Sequence, residues 1–235
     1  MSLAVVLQAR LDSSRLPQKA LLPLGGRPLI LRVMEALQKI PADLRILACP
    51  EDSVNAFAPL AAEVGFTLFV GPKDDVLGRY CLALRSFGIR HLIRATGDNP
   101  FVFTDAAAAI TAEALSLGAD YAGYASLPPG AGVEAVSAEA LFCAEAQAVS
   151  PYDREHVCPY LYTHPELFRL HRPIAPAHWQ FPDLRITVDT KKDYDQACTL
   201  YDQLDLFGEK RYLGESIIAC MGIGDRGSGI RDGCL

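Results

Sequence analysis

The sequence predicts an α/β fold, a mostly parallel sheet with helices on both faces. Three observations carry that expectation. Short apolar runs alternate with segments of helical periodicity through the first half of the chain. The first run, Leu3–Ala9, is almost unbroken in apolar residues and contains a β-branched pair, as suits a strand covered on both faces. The chain has 235 residues, half of them apolar, enough for one large domain or two small ones with a core that needs no disulfides.

After Leu3–Ala9, Arg10–Gly26 reads as a polar loop with two prolines and two glycines. Pro28–Ile40 places Leu29, Val33, Met34, Leu37 and Ile40 on one helical face, with Pro28 near the first turn. Leu44–Cys49, Thr67–Val70 and His91–Ala95 read as strands, and Val54–Val64 and Val76–Phe87 as the helices between them. Thr104–Leu117 is Ala-rich and helical, with Thr104 expected as its N-cap. Beyond Gly118 the rhythm changes. A Pro/Gly loop at 128–132 leads to a short strand at Val133–Val136. Helices are expected at Ala138–Val149 and Asp153–Thr163, then a proline-rich irregular stretch at Leu167–Pro182. Arg185–Val188 reads as a strand and Lys191–Leu206 as a helix, opened by a Thr190/Asp193 capping box. One domain is expected over 1–221, elaborated around 120–182, followed by a loose Gly-rich tail, 222–235.

A net charge of −6 argues against a nucleic-acid binder with a wholly basic surface, while leaving room for a local basic pocket. Seven scattered cysteines without a C-x-x-C pattern suit a reduced, cytoplasmic protein without a structural zinc site. No charged segment precedes a long apolar stretch, and no apolar window approaches about 18 residues, so neither a signal peptide nor a membrane partner is expected.

Three segments carry candidate chemistry, each at the carboxyl end of an expected strand, where open α/β sheets bind ligands. The loop from Arg10 to Lys19 gathers Arg10, Arg15, Lys19, Ser13 and Ser14, the donors a triphosphate needs. The plain alternative is a solvated charged loop. Arg94–Pro100 contains Gly97, which permits close backbone approach, and Asp98, directed at the crevice. Arg185–Thr190 ends in Asp189. Either aspartate alone reads as a helix cap. Together in one crevice they suit Mg²⁺ bound to substrate phosphates.

These residues carry a resemblance. The pattern Gln8-Ala-Arg-x-x-Ser-Ser-Arg-Leu-Pro-x-Lys19, followed by Leu24-Gly-Gly-Arg-Pro-Leu29, resembles the opening of the cytidylyltransferases that make CMP-activated acidic sugars. Those are the CMP-Kdo and CMP-acylneuraminate synthetases, together with a spore-coat polysaccharide biosynthesis branch. Asp74–Tyr80, Thr96–Pro100, Arg154–Tyr160 and Leu184–Thr190 match that branch in order, so the likeness spans roughly residues 3–206. It implies a three-layer α/β/α, Rossmann-like fold of the nucleotide-diphospho-sugar transferase type. It also implies attack by a sugar hydroxyl on the α-phosphorus of CTP with release of pyrophosphate, a reaction of positioning and charge neutralisation.

By this resemblance Arg10, Arg15 and Lys19 hold the triphosphate. Main chain around Leu7, Ala9 and Arg10, with Ser14, Arg79 and Thr96, faces the nucleotide. Asp98 and Asp189 carry Mg²⁺, and Asp98 joins the catalytic group. Glu134, Arg154, Glu155, His156 and Arg185 are the acceptor candidates, with Arg154 or Arg185 expected to pair with an acidic sugar's carboxylate. A homodimer is an expectation by analogy. Four positions depart from the family pattern. Asp12 stands where a small residue is usual, Gln18 where glycine is frequent, Gly132 where aspartate is common, and Cys158 where threonine is usual. Asp12 either repels phosphates or turns away to cap Ser14.

Other signals are weaker. Gly222–Gly227 fits G-x-G-x-x-G but is followed by no βαβ unit and is set aside. Cys158 reads as packing, and Tyr160, Tyr162 and Phe168 as core or dimer interface. Two further readings remain: a nucleotidyltransferase using a sugar phosphate or another NTP, and a non-catalytic nucleotide- or partner-binding homologue.

Overall fold

The structure, a computed structural model, describes residues 2–222. The tail from 223 onward, with nearly all of the Gly222–Gly227 motif, lies outside the described residues. The chain runs β1 (Leu3–Gln8), a small hairpin of β2 (Pro23–Leu24) and β3 (Arg27–Pro28), then α1 (Leu29–Leu37), β4 (Leu44–Cys49), α2 (Val54–Glu63), β5 (Thr67–Val70), α3 (Val76–Phe87), β6 (His91–Thr96) and α4 (Thr104–Leu117). Next come β7 (Tyr121–Ala122), β8 (Glu134–Ser137), α5 (Ala138–Gln147), α6 (Pro151–His156), α7 (Pro159–Thr163), β9 (Leu170–His171), α8 (Lys191–Leu204) and α9 (Gly214–Cys220).

The main sheet has the order β5-β4-β1-β6-β8-β7-β9. Its first four strands are parallel, β8 runs antiparallel to β6, and β9 is parallel to β7. Strand alternation separates two apolar layers. Val5 and Leu7 of β1 join Leu47 and Ile93 in a core with α1, α2, α4, α8 and α9. Ala4 and Val6 face the other way, with Ile46 and Leu92, onto α3, α5 and α7. This period-two division of near-continuous apolar strands makes the three-layer α/β/α architecture. Among the described residues no helix is long and apolar enough to cross a membrane.

Three local expectations are corrected. Thr104 is not an N-cap: Phe103 occupies that position without a side-chain cap, and the Thr104 hydroxyl donates instead to the carbonyl of Tyr212 at 2.9 Å. The helix expected over 153–163 is two helices. They part at Val157, whose φ of 73° and ψ of −59° make a γ-turn closed by the Cys158 N–H on the His156 carbonyl at 2.9 Å. Cys158 itself keeps helical angles (φ −93°, ψ −12°) and leads directly into α7, with Pro159 in its first turn.

Residues 185–188 form no strand and pair with none. The N–H groups of Ile186 and Thr187 donate to the Pro129 carbonyl (2.9 and 3.1 Å), and that of Val188 to the Asp98 carbonyl (2.8 Å). The segment is thus stitched between two loops. The Thr190/Asp193 capping box at the start of α8 is present as read. Two backbone N–H groups, of Asp189 and Thr190, donate to the Asp193 carboxylate at 3.0 and 2.8 Å.

Candidate active site

The chain winds outward from β1 through β4 to β5, then returns to the other side of β1 as β6. That reversal opens a crevice above the carboxyl ends of β1 and β6, the position where such sheets take ligands. A cavity of about 310 Å³ lies there. The loop after β1 supplies Ala9, Arg10, Asp12, Ser14, Arg15 and Lys19 to its wall. The end of β6 supplies Thr96, Gly97 and Asp98, while α3 adds Arg79, α6 adds Glu155 and His156, and Asp189 completes it. Gly97 is required by closeness: a Cβ there would stand 3.0 Å from both the Ala9 Cβ and the Ile30 Cδ1. Leu7 lies outside the wall, its side chain wholly buried in the core.

The cations and carboxylates of the cavity neutralise one another. Lys19 Nζ reaches Asp98 Oδ2 at 3.3 Å, Asp189 Oδ1 at 3.1 Å and the Val188 carbonyl at 2.8 Å. Arg15 Nη2 meets the same Asp189 Oδ1 at 2.9 Å, and Arg10 Nη2 lies 3.6 Å from Glu155 Oε1. The Thr96 hydroxyl donates to Asp98 Oδ1 at 2.6 Å, and in turn accepts from Asn99 Nδ2 at 2.9 Å. Arg79 is almost fully buried; its Nη1 donates to the Pro72 carbonyl at 2.7 Å and its Nε has no partner. Behind it, burial pushes the Cys49 thiol up to about 11, against the pull of Arg79.

Arg185 and Arg154, two acceptor candidates, do not line this cavity. Arg185 Nη2 donates to Asp189 Oδ2 at 2.5 Å and so steadies that carboxylate from outside. Arg154 pairs with Asp75, whose other oxygen accepts from Gly78 N–H at the start of α3, and donates to the Glu145 carbonyl. It fastens α6 to α3 and α5.

A second cavity, of about 320 Å³, shares Arg94 and Thr96 with the first. Tyr121, Tyr124, Gly130, Gly132, Glu134 and Arg172 belong to its wall. Glu134 has both oxygens engaged: Oε2 by Arg94, and Oε1 by the Tyr121 hydroxyl at 2.8 Å. Burial opposes the charge of Arg94 most strongly, but Glu134, Cys158 and Tyr80 together outweigh it and lift the guanidinium pKa above its ordinary value. Arg172 is exposed, 5.4 Å from the Tyr162 ring centroid, and has no ion pair among the described residues. The sequence reading did not nominate Arg94, Tyr124 or Arg172. For Arg94 a signal existed, since a charged residue inside an otherwise apolar central strand must have a buried partner.

The cytidylyltransferase family profile matches residues 4–215. The spore coat polysaccharide biosynthesis protein SpsF of Bacillus subtilis is 32% identical over 205 residues, covering 84% of this chain and 85% of that protein. The chain belongs to the cytidylyltransferase family. It is a nucleotidyltransferase. Among solved structures, a cytidylyltransferase from Leptospira borgpetersenii superposes with a TM-score of 0.86 at 24% identity, covering 94% of each chain. A CMP:2-keto-3-deoxy-manno-octonic acid synthetase complexed with CTP superposes with a TM-score of 0.67 at 15% identity, covering 86% of this chain and 99% of that one.

In this cytidylyltransferase the four departures have distinct physical contexts. Asp12 does not cap Ser14; its carboxylate lies 3.4 Å from Lys73 Nζ, which also holds Asp52 at 2.7 Å. The Leu11 N–H donates to Ser53 Oγ at 3.1 Å, so the loop is docked on the same segment. Cys158 is buried beside Glu134, and burial holds its thiol well above the ordinary value, as suits packing rather than nucleophilic attack. Tyr160 and Phe168 are part of the core on that face, with Tyr162 packed against it. Gly132 faces the second cavity, where a Cβ would touch only Leu127 Cδ1 at 3.3 Å.

Gln18 sits at φ 52° and ψ 29°, the left-handed conformation that favours glycine, immediately before Lys19. That strain costs about 1 kcal/mol, partly offset by the lower chain entropy of a non-glycine residue. Gln18→Gly is therefore expected to leave stability unchanged or raise it by up to about 1 kcal/mol in urea unfolding. A clear loss of stability would mean that the Gln18 side chain holds the turn.

Proposed function

We propose that this enzyme transfers CMP from CTP to the hydroxyl of a small acidic sugar, with a divalent cation, Mg²⁺ by expectation, carried by Asp98 and Asp189. The reading rests above all on the two cavities that meet at Arg94 and Thr96, over the point where the sheet reverses direction. The first, with Arg10, Arg15, Lys19 and Arg79, has the cations for a triphosphate. The second has an arginine, Arg172, without a carboxylate partner among the described residues, and a carboxylate, Glu134, with no free oxygen. A cavity so charged favours an acceptor that brings an anion.

Among the described residues no three His, Cys, Asp or Glu side chains converge as a metal set. Two carboxylates, with phosphate and water oxygens for the rest, nonetheless suit a small hard cation. When bound, such a cation neutralises phosphate charge. The chain's own groups do the remainder. Lys19, Arg10 and Arg15 orient the triphosphate, Thr96 holds Asp98, and Arg94 stands where the acceptor oxygen approaches the α-phosphorus. The new bond joins acceptor oxygen to phosphorus, the bond to pyrophosphate breaks, and the hydroxyl proton passes to solvent.

The test is a thermal-shift series with CTP, UTP, ATP and GTP, each with and without Mg²⁺. Ligand at a hundred times its dissociation constant adds about 2.7 kcal/mol. A CTP-selective shift enhanced by Mg²⁺, followed by pyrophosphate release with acidic sugars, is the expected result. Release only with sugar 1-phosphates, or a shift with another nucleotide, would replace this reading with the sugar-phosphate one.

A further inference from the structure

Lys19 does not stand free to meet a phosphate. An ammonium has three N–H donors. Here three oxygens lie within reach of it: the Val188 carbonyl at 2.8 Å, Asp189 Oδ1 at 3.1 Å and Asp98 Oδ2 at 3.3 Å. The side chain is only 16% exposed, so the group is seated rather than waving in solvent. Two carboxylates and a carbonyl around one cation make the oxygen nest that a hard divalent ion takes. The nest is rigidly built. Thr96 fixes Asp98, Arg185 fixes the far oxygen of Asp189, and the Val188 N–H is bound to the Asp98 carbonyl. Arg15 adds a second cation to Asp189 Oδ1 at 2.9 Å.

We infer that Lys19 is an internal stand-in for the divalent cation: its ammonium fills the Asp98–Asp189–Val188 nest, and moves to the nucleotide phosphates when a divalent ion takes its place. The inference rests on the reading that the site receives a nucleotide with a metal. One ammonium cannot satisfy three protein oxygens and a phosphate at once. Cation and nucleotide therefore each bind weakly alone, because each must break the internal ion pairs without replacing them. Together they replace both sides of the exchange, and the binding of one strengthens the other reciprocally. Arg15 is released by the same event, while Arg185, outside the cavity, stays with Asp189.

The exchange predicts effects of unusual sign. Titration with Mn²⁺ alone, read by the paramagnetic resonance of the free ion, separates them. Lys19→Met keeps the stem and removes the charge. It is expected to bind Mn²⁺ about tenfold more tightly or better than the unmodified enzyme. Adding Asp189→Asn to that variant is expected to abolish the gain. Lys73→Met, which removes a nearby cation outside the nest, is expected to change Mn²⁺ binding little. Equal Mn²⁺ affinity in Lys19→Met and the unmodified enzyme would overturn the inference, and so would an equal gain in Lys73→Met.

A second arm uses CTP in the presence of chelator and does not depend on Lys19→Met folding. Asp189→Asn, which loosens the hold on Lys19 and Arg15, is expected to bind metal-free CTP about tenfold more tightly than the unmodified enzyme. Unchanged or weaker binding would count against the exchange. If the Mn²⁺ results are as expected but the unmodified enzyme binds CTP neither with nor without Mn²⁺, the seat of Lys19 in the cation nest stands, while its transfer to CTP and the cytidylyl-transfer reading fall.

Discussion

Glu134→Ala is expected to cost about 3–5 kcal/mol of stability, one of the two largest losses anticipated for a single substitution in this chain. The reason is the company Glu134 keeps. Its side chain and that of Arg94 are 22% and 13% exposed, and the two form an ion pair between β8 and β6. Removing the carboxylate leaves a guanidinium that burial already disfavours, with a buried Nε that has no partner, and strips the Tyr121 hydroxyl of its acceptor. Thermal unfolding should fall by roughly 10 °C or more for a chain of this size. Glu134→Gln keeps an acceptor for Tyr121 and is expected to lose less. Replacing both Arg94 and Glu134 with methionine removes the two charges together and is expected to recover much of the loss. A cost below about 1 kcal/mol for Glu134→Ala would place the pair with solvent-screened surface bridges. In that case Arg94 would not depend on Glu134 for its position between the cavities.

That pair also marks the boundary between what the sequence displays and what it hides. The parallel strands are legible as apolar runs, most clearly β1, which is buried on both faces; Leu44–Cys49 and the edge strand Thr67–Val70 fall where they were read. The first cavity is legible for a related reason. Most of its residues sit at the ends of β1 and β6 and in the loop after β1, which strand order brings together; Arg79, Glu155, His156 and Asp189 reach it from α3, α6 and the 185–189 segment. The second cavity joins β6 and β8 to the two-residue β7 and to loops, whose placement depends on long-range contacts that leave no periodic trace. Residues 185–188 misled for the same reason: Ile186 and Val188 are buried in alternation as in a strand, yet their partners are the Pro129 and Asp98 carbonyls. The break at Val157 was not visible: Cys158 keeps helical angles even before Pro159, and the γ-turn at Val157 is a tertiary choice. Glu134, expected at the acceptor, lines the second cavity, while the saturation of its oxygens was beyond any reading of a single chain.

Gly130→Ala is expected to be as damaging as Glu134→Ala, and by a route that reaches the first cavity from the second. Gly130 has a φ of 103°, which side chains rarely adopt, and a Cβ there would stand 2.5 Å from the Thr187 backbone nitrogen and 2.9 Å from the Ile186 carbonyl carbon. No side chain can turn aside to make room, because the obstacle is main chain. The strained backbone and the overpacking each cost about 1–3 kcal/mol, so a loss near 3–5 kcal/mol is expected in urea unfolding. The obstructed segment is the one whose Ile186 and Thr187 N–H groups are held by the Pro129 carbonyl. Its next residues supply the Val188 carbonyl and the Asp189 carboxylate to Lys19. Displacing it should therefore weaken the CTP-dependent thermal shift measured with Mg²⁺, for which Asp189 is a proposed carrier, even at temperatures where the variant is folded. A destabilised variant with an undiminished CTP shift would show that the 186–187 segment yields without moving Asp189. An unaltered stability would show that the close approach of Gly130 to Thr187 is not made in solution.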